Sequence, residues 1–201
     1  GPTFSPKTTD VYGQRDYAEG DIVTKAVYDK TESGYGKEKM DEAYVATETV
    51  SYTYKGTNKT VNPGTAIPLA EYNTLSSSAQ SVQSAFAKAF VCIGSLKLAE
   101  ERYLVNGDLL TAGEIAALKT TYTDVPADEI DAVFTEAYIC TETGKYGGQK
   151  YFATNNYSAK ESWCSLSESD RIDEEGEDKF IFNYDALDLF ADPNYLDFYD
   201  E

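Results

Sequence analysis

The absence of histidine limits the chemistry that this sequence can support. None of the 201 residues is histidine, which is the usual general base near neutral pH and the commonest transition-metal ligand. Catalysis by Ser–His–Asp or Cys–His groups is therefore excluded. The side chains that remain for chemistry are carboxylates, tyrosines and cysteines.

Two glutamates, Glu71 and Glu114, recur at matching positions of an internal repeat. A pair of carboxylates can act as the acid and base of a glycosidase. Each glutamate also lies at the start of a short predicted helix, where a carboxylate accepts hydrogen bonds from free backbone N–H groups. We favour this capping role and expect a protein without catalytic residues. A carboxylate-based glycosidase is the enzymatic alternative.

The cysteines Cys92, Cys140 and Cys164 lack the spacing of metal ligands. We expect buried free thiols, with a Cys140–Cys164 disulfide as the alternative. The acidic run 170–178 has enough oxygen atoms to bind calcium, but their order departs from an EF-hand loop. The glycine-containing run 144–148 lacks the spacing of a phosphate-binding loop. The sequence therefore predicts no metal and no cofactor.

Tyrosine, with 17 copies, is the strongest positive signal in the composition. Tyrosine offers a large contact area and a hydroxyl group, which suits protein interfaces and also stacking against sugars. The alternative is that tyrosine simply suits half-exposed strands. The aromatic residues that we predict to mediate interactions are Tyr52, Tyr54, Tyr103, Tyr146, Tyr151, Tyr157, Trp163, Phe182 and Tyr184.

The formal net charge of −18 restricts the partners. Binding a phosphate backbone requires clustered Lys and Arg, and an anionic membrane surface repels an acidic chain. We therefore expect neither nucleic acid nor membrane as a partner. Residues 168–201 contain 13 acidic, two basic and seven aromatic side chains. This tail either keeps the protein soluble or docks on a basic, apolar groove of this chain or of a partner.

Three segments of the chain begin alike, at residues 43, 89 and 137. The first and second copies also match downstream at a constant offset of 43 residues, through Val61, Gly64, Ile67, Glu71 and Leu75 against Leu104, Gly107, Leu110, Glu114 and Leu118. The third copy matches the second at an offset of 48, through Tyr151, Phe152, Trp163 and Leu166 against Tyr103, Leu104, Ile115 and Leu118. We interpret these matches as a tandem repeat.

Each copy is predicted to contain a β-hairpin followed by helix. Tyr, Val and Thr favour the strands, and Gly and Asn favour the turns between them. The predicted strands cover 44–54 and 59–61, then 90–98 and 103–105, then 137–145 and 150–153, the last pair flanking a turn at 146–148. The predicted helices are one opened by Pro68, one with Ala79, Val82, Phe86 and Ala89 on one face, 112–118, one capped by Asp124, and 158–166.

The predicted fold class is α+β, with tandem small ββα(α) hairpin-helix modules between an extended N-terminal arm and an acidic aromatic C-terminal tail. The expected segments are 1–42 (arm), 43–88, 89–136, 137–171 (a partial third module) and 172–201 (tail). The arm has one strand candidate at 21–28. Because ordering a sparsely apolar arm costs about 1–2 kcal/mol per residue, we expect a partner to hold it. The opening Gly1-Pro2 reads as a remnant of proteolytic cleavage.

Two parts of the sequence resemble bacteriophage proteins. The pattern 53–56, 61–64 and 67–69 is similar to small accessory virion proteins of tailed phages. The residues 138–140, 163–166 and 170–171, followed by 182–185, resemble structural proteins of crAss-like gut phages. This resemblance covers roughly residues 43–192 and implies a capsid, head-fibre or neck protein without an active site.

We therefore expect a non-catalytic structural or assembly protein of a phage virion. It would act through protein–protein contacts with other virion proteins or with itself, as a homo-oligomer or a docked subunit. The alternative is a secreted or cell-surface module that binds a glycan or a protein.

Overall fold

The computed structural model describes residues 3–7, 10–75, 80–152, 158–159, 163–164 and 166–183. Strands dominate and the helices are short, so the predicted α+β class is confirmed. The chain divides into two compact units. Unit 1 combines Gly1–Arg15 with Gly147–Glu201, and unit 2 is Asp16–Tyr146.

The strands of the described residues are numbered in chain order: β1 (Thr3–Pro6), β2 (Asp10–Tyr17), β3 (Ile22–Thr24), β4 (Met40–Ala46), β5 (Val50–Tyr54), β6 (Thr57–Val61), β7 (Ala66–Pro68), β8 (Phe86–Cys92), β9 (Leu96–Ala99), β10 (Arg102–Leu104), β11 (Leu109–Thr111), β12 (Phe134–Cys140), β13 (Gly144–Phe152), β14 (Ser158–Ala159) and β15 (Phe180–Asn183). The helices are α1 (Lys25–Lys30), α2 (Leu69–Thr74), α3 (Gln80–Gln83), α4 (Ala112–Thr121), α5 (Ala127–Ala132) and α6 (Glu168–Arg171), with a 3₁₀ turn at Lys37–Lys39.

Three long strands of unit 2, β4, β8 and β12, pair with one another in a closed cycle. The first half of β4 pairs antiparallel with the second half of β12, and the second half of β4 pairs with the first half of β8. The second half of β8 pairs with the first half of β12. Each long strand therefore has the same two kinds of neighbour, at the positions where the sequence repeats.

Small side chains at the centre of this cycle explain why the three copies begin alike. Ala43, Ala89 and Ala137 are fully buried. Since side chains two residues apart point to the same face of a strand, the branched residue two positions later joins each alanine in one central core, as Val45, Val91 and Ile139. A larger side chain at the alanine positions would keep the strands apart.

Each long strand also pairs with a short strand that follows a tight turn: β4 with β7, β8 with β11 and β12 with β3. The three turns contain Gly64, Gly107 and Gly20, with φ of 90°, 97° and 93°. Each glycine N–H donates to the carbonyl of the last residue of the long strand, over 2.9, 2.8 and 2.8 Å. Glycine adopts this φ without steric cost, which accounts for its recurrence.

β3 and α1, from the N-terminal side of the chain, lie against β12 as β11 and α4 lie against β8. The match of Tyr151, Phe152, Trp163 and Leu166 to the second copy stays a prediction, and residues 17–28 are the ones that the structure places beside β12. The predicted strand 21–28 is corrected, since it ends at Thr24, whose side chain caps α1 by accepting from the Val27 N–H.

A hairpin-like pair of strands extends from each long strand, formed by β5–β6, β9–β10 and β2–β13. Each pair covers its own small core. The first two pairs are local hairpins, whereas β2 and β13 come from distant parts of the chain. The predicted turn at 146–148 is wrong, because these residues lie inside β13.

Two predicted helices are shorter in the structure, because strands begin where the helical pattern was extended. The helix expected to include Phe86 and Ala89 is reduced to α3, since both residues belong to β8. The helix after Asp124 begins at Ala127 and ends at Ala132, before Phe134 starts β12. The long strands expected at 44–54 and 90–98 are each divided into two.

Unit 1 contains a three-stranded sheet with β1 between β14 and β15. Phe4, Leu166 and Phe180 form its buried cluster. Arg15 Nη1 lies 3.1 Å from both carboxylate oxygens of Asp170. The predicted helix 158–166 is wrong at its start, because residues 158–159 form strand β14. Residues 160–162 and 165 of that helix and the tail residues beyond 183 lie outside the described part of the chain.

Candidate functional site

The predicted interaction residues of unit 2 differ in exposure. Tyr52 and Tyr146 are buried in the cores beneath their hairpins. Tyr54 is half-buried, and Tyr103 is 49% exposed. Tyr52 and Tyr146 therefore stabilise the fold, while Tyr54 and Tyr103 are accessible to a ligand or partner.

In unit 1, Trp163 and Phe182 pack on Phe4, with ring centroids 4.7 Å apart in both cases. The guanidinium of Arg171 lies 4.6 Å from the Trp163 ring, which adds a cation–π contact. Trp163 is thus held on two sides. Tyr157, Tyr184 and the side chain of Tyr151 lie outside the described residues.

Glu114 has the capping role expected from the sequence. The Thr111 side chain accepts from the Glu114 N–H at 3.1 Å, and Glu114 Oε1 accepts from the Thr111 N–H at 3.0 Å. These reciprocal bonds form a capping box at the start of α4. The expectation is therefore correct for the second copy.

Glu71 occupies the matching position of the first copy but is bonded differently. The residue that corresponds to Thr111 is Pro68, which has no N–H to donate. The Glu71 carboxylate turns instead towards the hairpin β5–β6, where Oε2 accepts from the Tyr52 hydroxyl and lies 2.6 Å from Lys59 Nζ. Expecting a capping role for Glu71 was therefore wrong, and Pro68 is the sequence signal that was missed.

The group formed by Glu71, Tyr52 and Lys59 is largely buried. The Glu71 side chain is 6% exposed and that of Lys59 is 33% exposed. Burial raises the pKa of Tyr52 above its usual value of 10, and its hydrogen bond to Glu71 raises it further. Tyr52 therefore stays protonated and donates to the carboxylate.

A cleft of about 530 Å³ opens beside this group, entirely within unit 2. Its lining includes Tyr54, Lys55, Lys59 and Glu71 from the first copy. The lining also includes residues from the turn before β3, the 3₁₀ turn and the start of β4: Glu19, Gly20, Glu38, Met40 and Asp41. The volume is within the range of small-molecule sites, about 300–1,000 Å³.

A second charged group lies on β4, β8 and β12. Lys88 Nζ is 3.1 Å from Glu42 and 2.8 Å from Glu136, and the three residues occupy matching positions of the copies. The hydrogen bond to Glu136, with that to Glu42, raises the pKa of Lys88 above its usual value. Each side chain is about one-third exposed, so we assign this group to the stability of the strand cycle.

Exposed apolar side chains cluster in the sequence of the second copy. Ile93, Tyr103 and Val105 are each 49% exposed. Tyr103 and Val105 correspond to Thr60 and Asn62 of the first copy, which make polar cross-strand contacts, Thr60 with Ser51 at 2.8 Å and Asn62 with Thr49 at 3.2 Å. The corresponding residues of the third copy are Asp16 and Ala18. The fold therefore does not require apolar residues here.

The cysteines are free in the structure. Cys92 and Cys140 are buried at matching strand ends, and their thiols donate to the carbonyls of Gly94 and Glu142. Burial raises the pKa of the Cys140 thiol. Cys164 is exposed, which corrects the expectation that all three thiols are buried.

The acidic run 170–178 is described, and its bonds explain its shape. Asp173 Oδ1 accepts from the N–H groups of Glu175 and Glu177, over 3.0 and 2.8 Å, and so closes a turn. Across the part of the chain that the structure describes, no group of three or more acidic or cysteine side chains could hold a metal ion.

Neither a protein-family model, nor a curated protein, nor a solved structure matches the chain. Among the described helices, none has the length and apolar character needed to cross a bilayer.

Proposed function

We propose that this chain is a non-catalytic assembly protein that acts through protein–protein contacts, as a structural component of a phage virion. Its partners would be other virion proteins or further copies of itself. We also propose that the fold is a tandem of three hairpin-helix modules, of which the third is closed by the N-terminal segment. The resemblance to phage capsid, head-fibre and neck proteins supports the virion assignment.

The observation that carries this proposal is the apolar surface of the second copy. The three copies share one backbone plan, so each serves as a reference for the other two. The second copy exposes Tyr103 and Val105, and the first copy has the polar residues Thr60 and Asn62 at the matching positions. Tyrosine is enriched at protein interfaces, and the exposed side chains of Tyr103 and Val105 are available for such a contact.

The test exchanges residues between copies. In Tyr103→Thr/Val105→Asn, the second hairpin carries the residues that the first already tolerates, so folding is preserved. We expect light scattering to show a discrete oligomer for the parent chain and a monomer for the variant. The matched control, Thr60→Val, should leave the mass unchanged. A parent chain that is monomeric, or an oligomer that survives both substitutions, would contradict self-assembly through this surface.

A second candidate function is a secreted or cell-surface binding module for a glycan or a protein. The cleft beside Glu71 favours it, because it combines an aromatic ring, two ammonium groups and a buried carboxylate. Substitution of Tyr146 or Trp163 would not test this function, since both side chains are packed in cores. The test is to titrate the protein with sugars and to follow the amide chemical shifts of the residues that line the cleft.

A further inference from the structure

The cleft beside Glu71 presents one unused acceptor. Glu71 Oε2 receives the hydrogen bonds from Tyr52 and Lys59. Within the described residues, no hydrogen bond reaches the other oxygen, Oε1, although the side chain is 94% buried and lines the cleft. This oxygen is not among the fully buried, unpaired side-chain atoms of the described residues, so it retains some accessible surface and can accept from a donor in the cleft.

Other acidic side chains of the cleft are already engaged by the protein. Asp41 accepts from the N–H groups of Glu42 and Ala70, over 2.9 and 3.0 Å. Glu38 accepts from the Gly34 N–H, which lowers the pKa of Glu38. Asp41 and Glu38 are thus each held by backbone N–H groups of the protein, and Glu19 lines the same cleft.

Two ammonium groups of the cleft lie close to an aromatic ring. Lys55 Nζ lies 5.3 Å and Lys59 Nζ 5.8 Å from the centroid of the Tyr54 ring. These ammonium groups repel a cationic ligand, while Glu19, Glu38 and Asp41 of the lining repel an anionic one. The mixed lining suits a neutral ligand that both donates and accepts hydrogen bonds.

We propose that this cleft binds a neutral, hydroxyl-rich ligand of the size of a terminal sugar unit. Neighbouring hydroxyls of the sugar donate to Glu71 Oε1 and accept from Lys55, while Tyr54 contacts the apolar side of the ring. Hydrogen bonds to charged groups are about twice as strong as neutral ones, and they fix the orientation of the sugar. This inference rests on the second candidate function and is independent of the assembly role.

The experiment records amide chemical shifts of the full chain with the methyl glycosides of glucose, galactose, mannose and N-acetylglucosamine. Concentrations reach about 50 mM, above the millimolar Kd expected for a single sugar unit. We expect at least one glycoside to shift the amides of Gly20, Lys55 and Ala70. Acetyl-lysine amide and succinate serve as the cationic and anionic probes.

Three variants make the result specific. Lys55→Asn removes the ammonium group while retaining a residue that tolerates the left-handed conformation of Lys55, whose φ is 48°. It and Glu71→Gln should each weaken sugar binding about tenfold, since a bond to a charged group is lost. Glu114→Gln, at the matching position of the second copy, should leave binding unchanged.

The outcomes separate this inference from the function on which it rests. Shifts with the lysine or succinate probe alone would overturn the sugar assignment but keep the cleft as a binding site. If no probe shifts the cleft amides, both the inference and the second candidate function fail. Sugar binding that persists in Lys55→Asn and Glu71→Gln would also overturn the assignment of these residues.

Discussion

Pro68 changes the hydrogen bonding of Glu71, because proline has no backbone N–H to donate. In the second copy the Thr111 N–H holds Glu114 at the start of its helix. With that donor removed, the Glu71 carboxylate is free to turn towards Tyr52 and Lys59. Pro68, together with Tyr52 and Lys59, thus places Glu71 in a buried polar group, where the second copy has a helix cap.

Glu71→Gln should therefore destabilise the protein more than Glu114→Gln. The first change leaves Lys59 without its charged partner, and we expect a loss of about 1–2 kcal/mol in the free energy of unfolding, reduced by the partial exposure of Lys59. The second keeps a glutamine that can still cap, and should cost about 0.5 kcal/mol or less. Urea denaturation of both variants at pH 7 measures the difference. Equal losses would contradict the different roles that we assign.

The raised pKa of Tyr52 predicts a loss of stability in alkali. In the unfolded chain Tyr52 releases its proton near pH 10, whereas the folded protein retains it. Its contribution is therefore fully present below pH 10 and is lost as the pH rises above that value, by up to about 1.4 kcal/mol per pH unit. Tyr44, Tyr138 and Lys88 have pKa values raised in the same direction and add to the effect.

Denaturation midpoints of the parent chain and of Tyr52→Phe, measured from pH 8 upwards, test this dependence. The variant should be less stable below pH 10 and should lose less stability above it. Parallel curves for the two proteins would show that Tyr52 does not contribute.

At the scale of elements, the turn after α1 approaches β13 closely. A Cβ added to Gly36 would lie 2.3 Å from Cβ of Tyr146, whereas one added to Gly34 would meet nothing within 4 Å. Both glycines have positive φ, 122° and 84°. Gly34→Ala should cost about 1–2 kcal/mol for the backbone conformation alone.

Gly36→Ala should cost about 2–4 kcal/mol, because the backbone strain is joined by a clash with a buried tyrosine. Thermal or urea unfolding of the two variants measures the difference. If Gly36→Ala were as stable as Gly34→Ala, the turn would have to move away from Tyr146 without cost.

The hairpin-and-glycine plan of the first two copies could be predicted because it is local. Turn residues and strand formers lie next to each other in the sequence. The helix expected through Phe86 and Ala89 failed because β8 is buried on both faces, so its apolar residues also match helical spacing. The Glu71 group could not be predicted in full, since Lys59 is joined to it only by the folded hairpin.

For the whole molecule, the completion of the third copy from the N-terminal side was not predictable from the repeat. The strands that pair, β3 and β12, are more than 100 residues apart in the sequence. The only sequence sign of the match between the N-terminal segment and the other copies is Gly20, which corresponds to the turn glycines Gly64 and Gly107. The sequence offset led instead to Trp163 and Leu166, which belong to unit 1. Hydrophobic spacing alone cannot choose between two such segments.

Removal of residues 1–42 should prevent unit 2 from folding. It deletes β3, which pairs with β12, and it removes Val23 and Met40 from the core that holds Cys140 and Tyr146. Near-UV circular dichroism and amide chemical-shift dispersion should both be lost. A truncated chain with the spectra of the parent would show that the segment is dispensable.

An insertion provides the matched control for this truncation. A flexible Gly/Ser segment placed between Lys55 and Gly56 lengthens the chain at the exposed turn of β5–β6 without removing a strand. Because insertions at exposed hairpin turns cost little, the spectra should be unchanged.

The pairing of β2 with β13 also determines how unit 2 responds to mechanical load. Both chain connections leave unit 2 through these strands, after Arg15 and Tyr146, and the Tyr17 and Tyr146 rings lie 6.1 Å apart at the inner end of the pair. Tension applied between the two connections therefore reaches unit 2 through β2 and β13, and it loads these two strands before it loads the strand cycle.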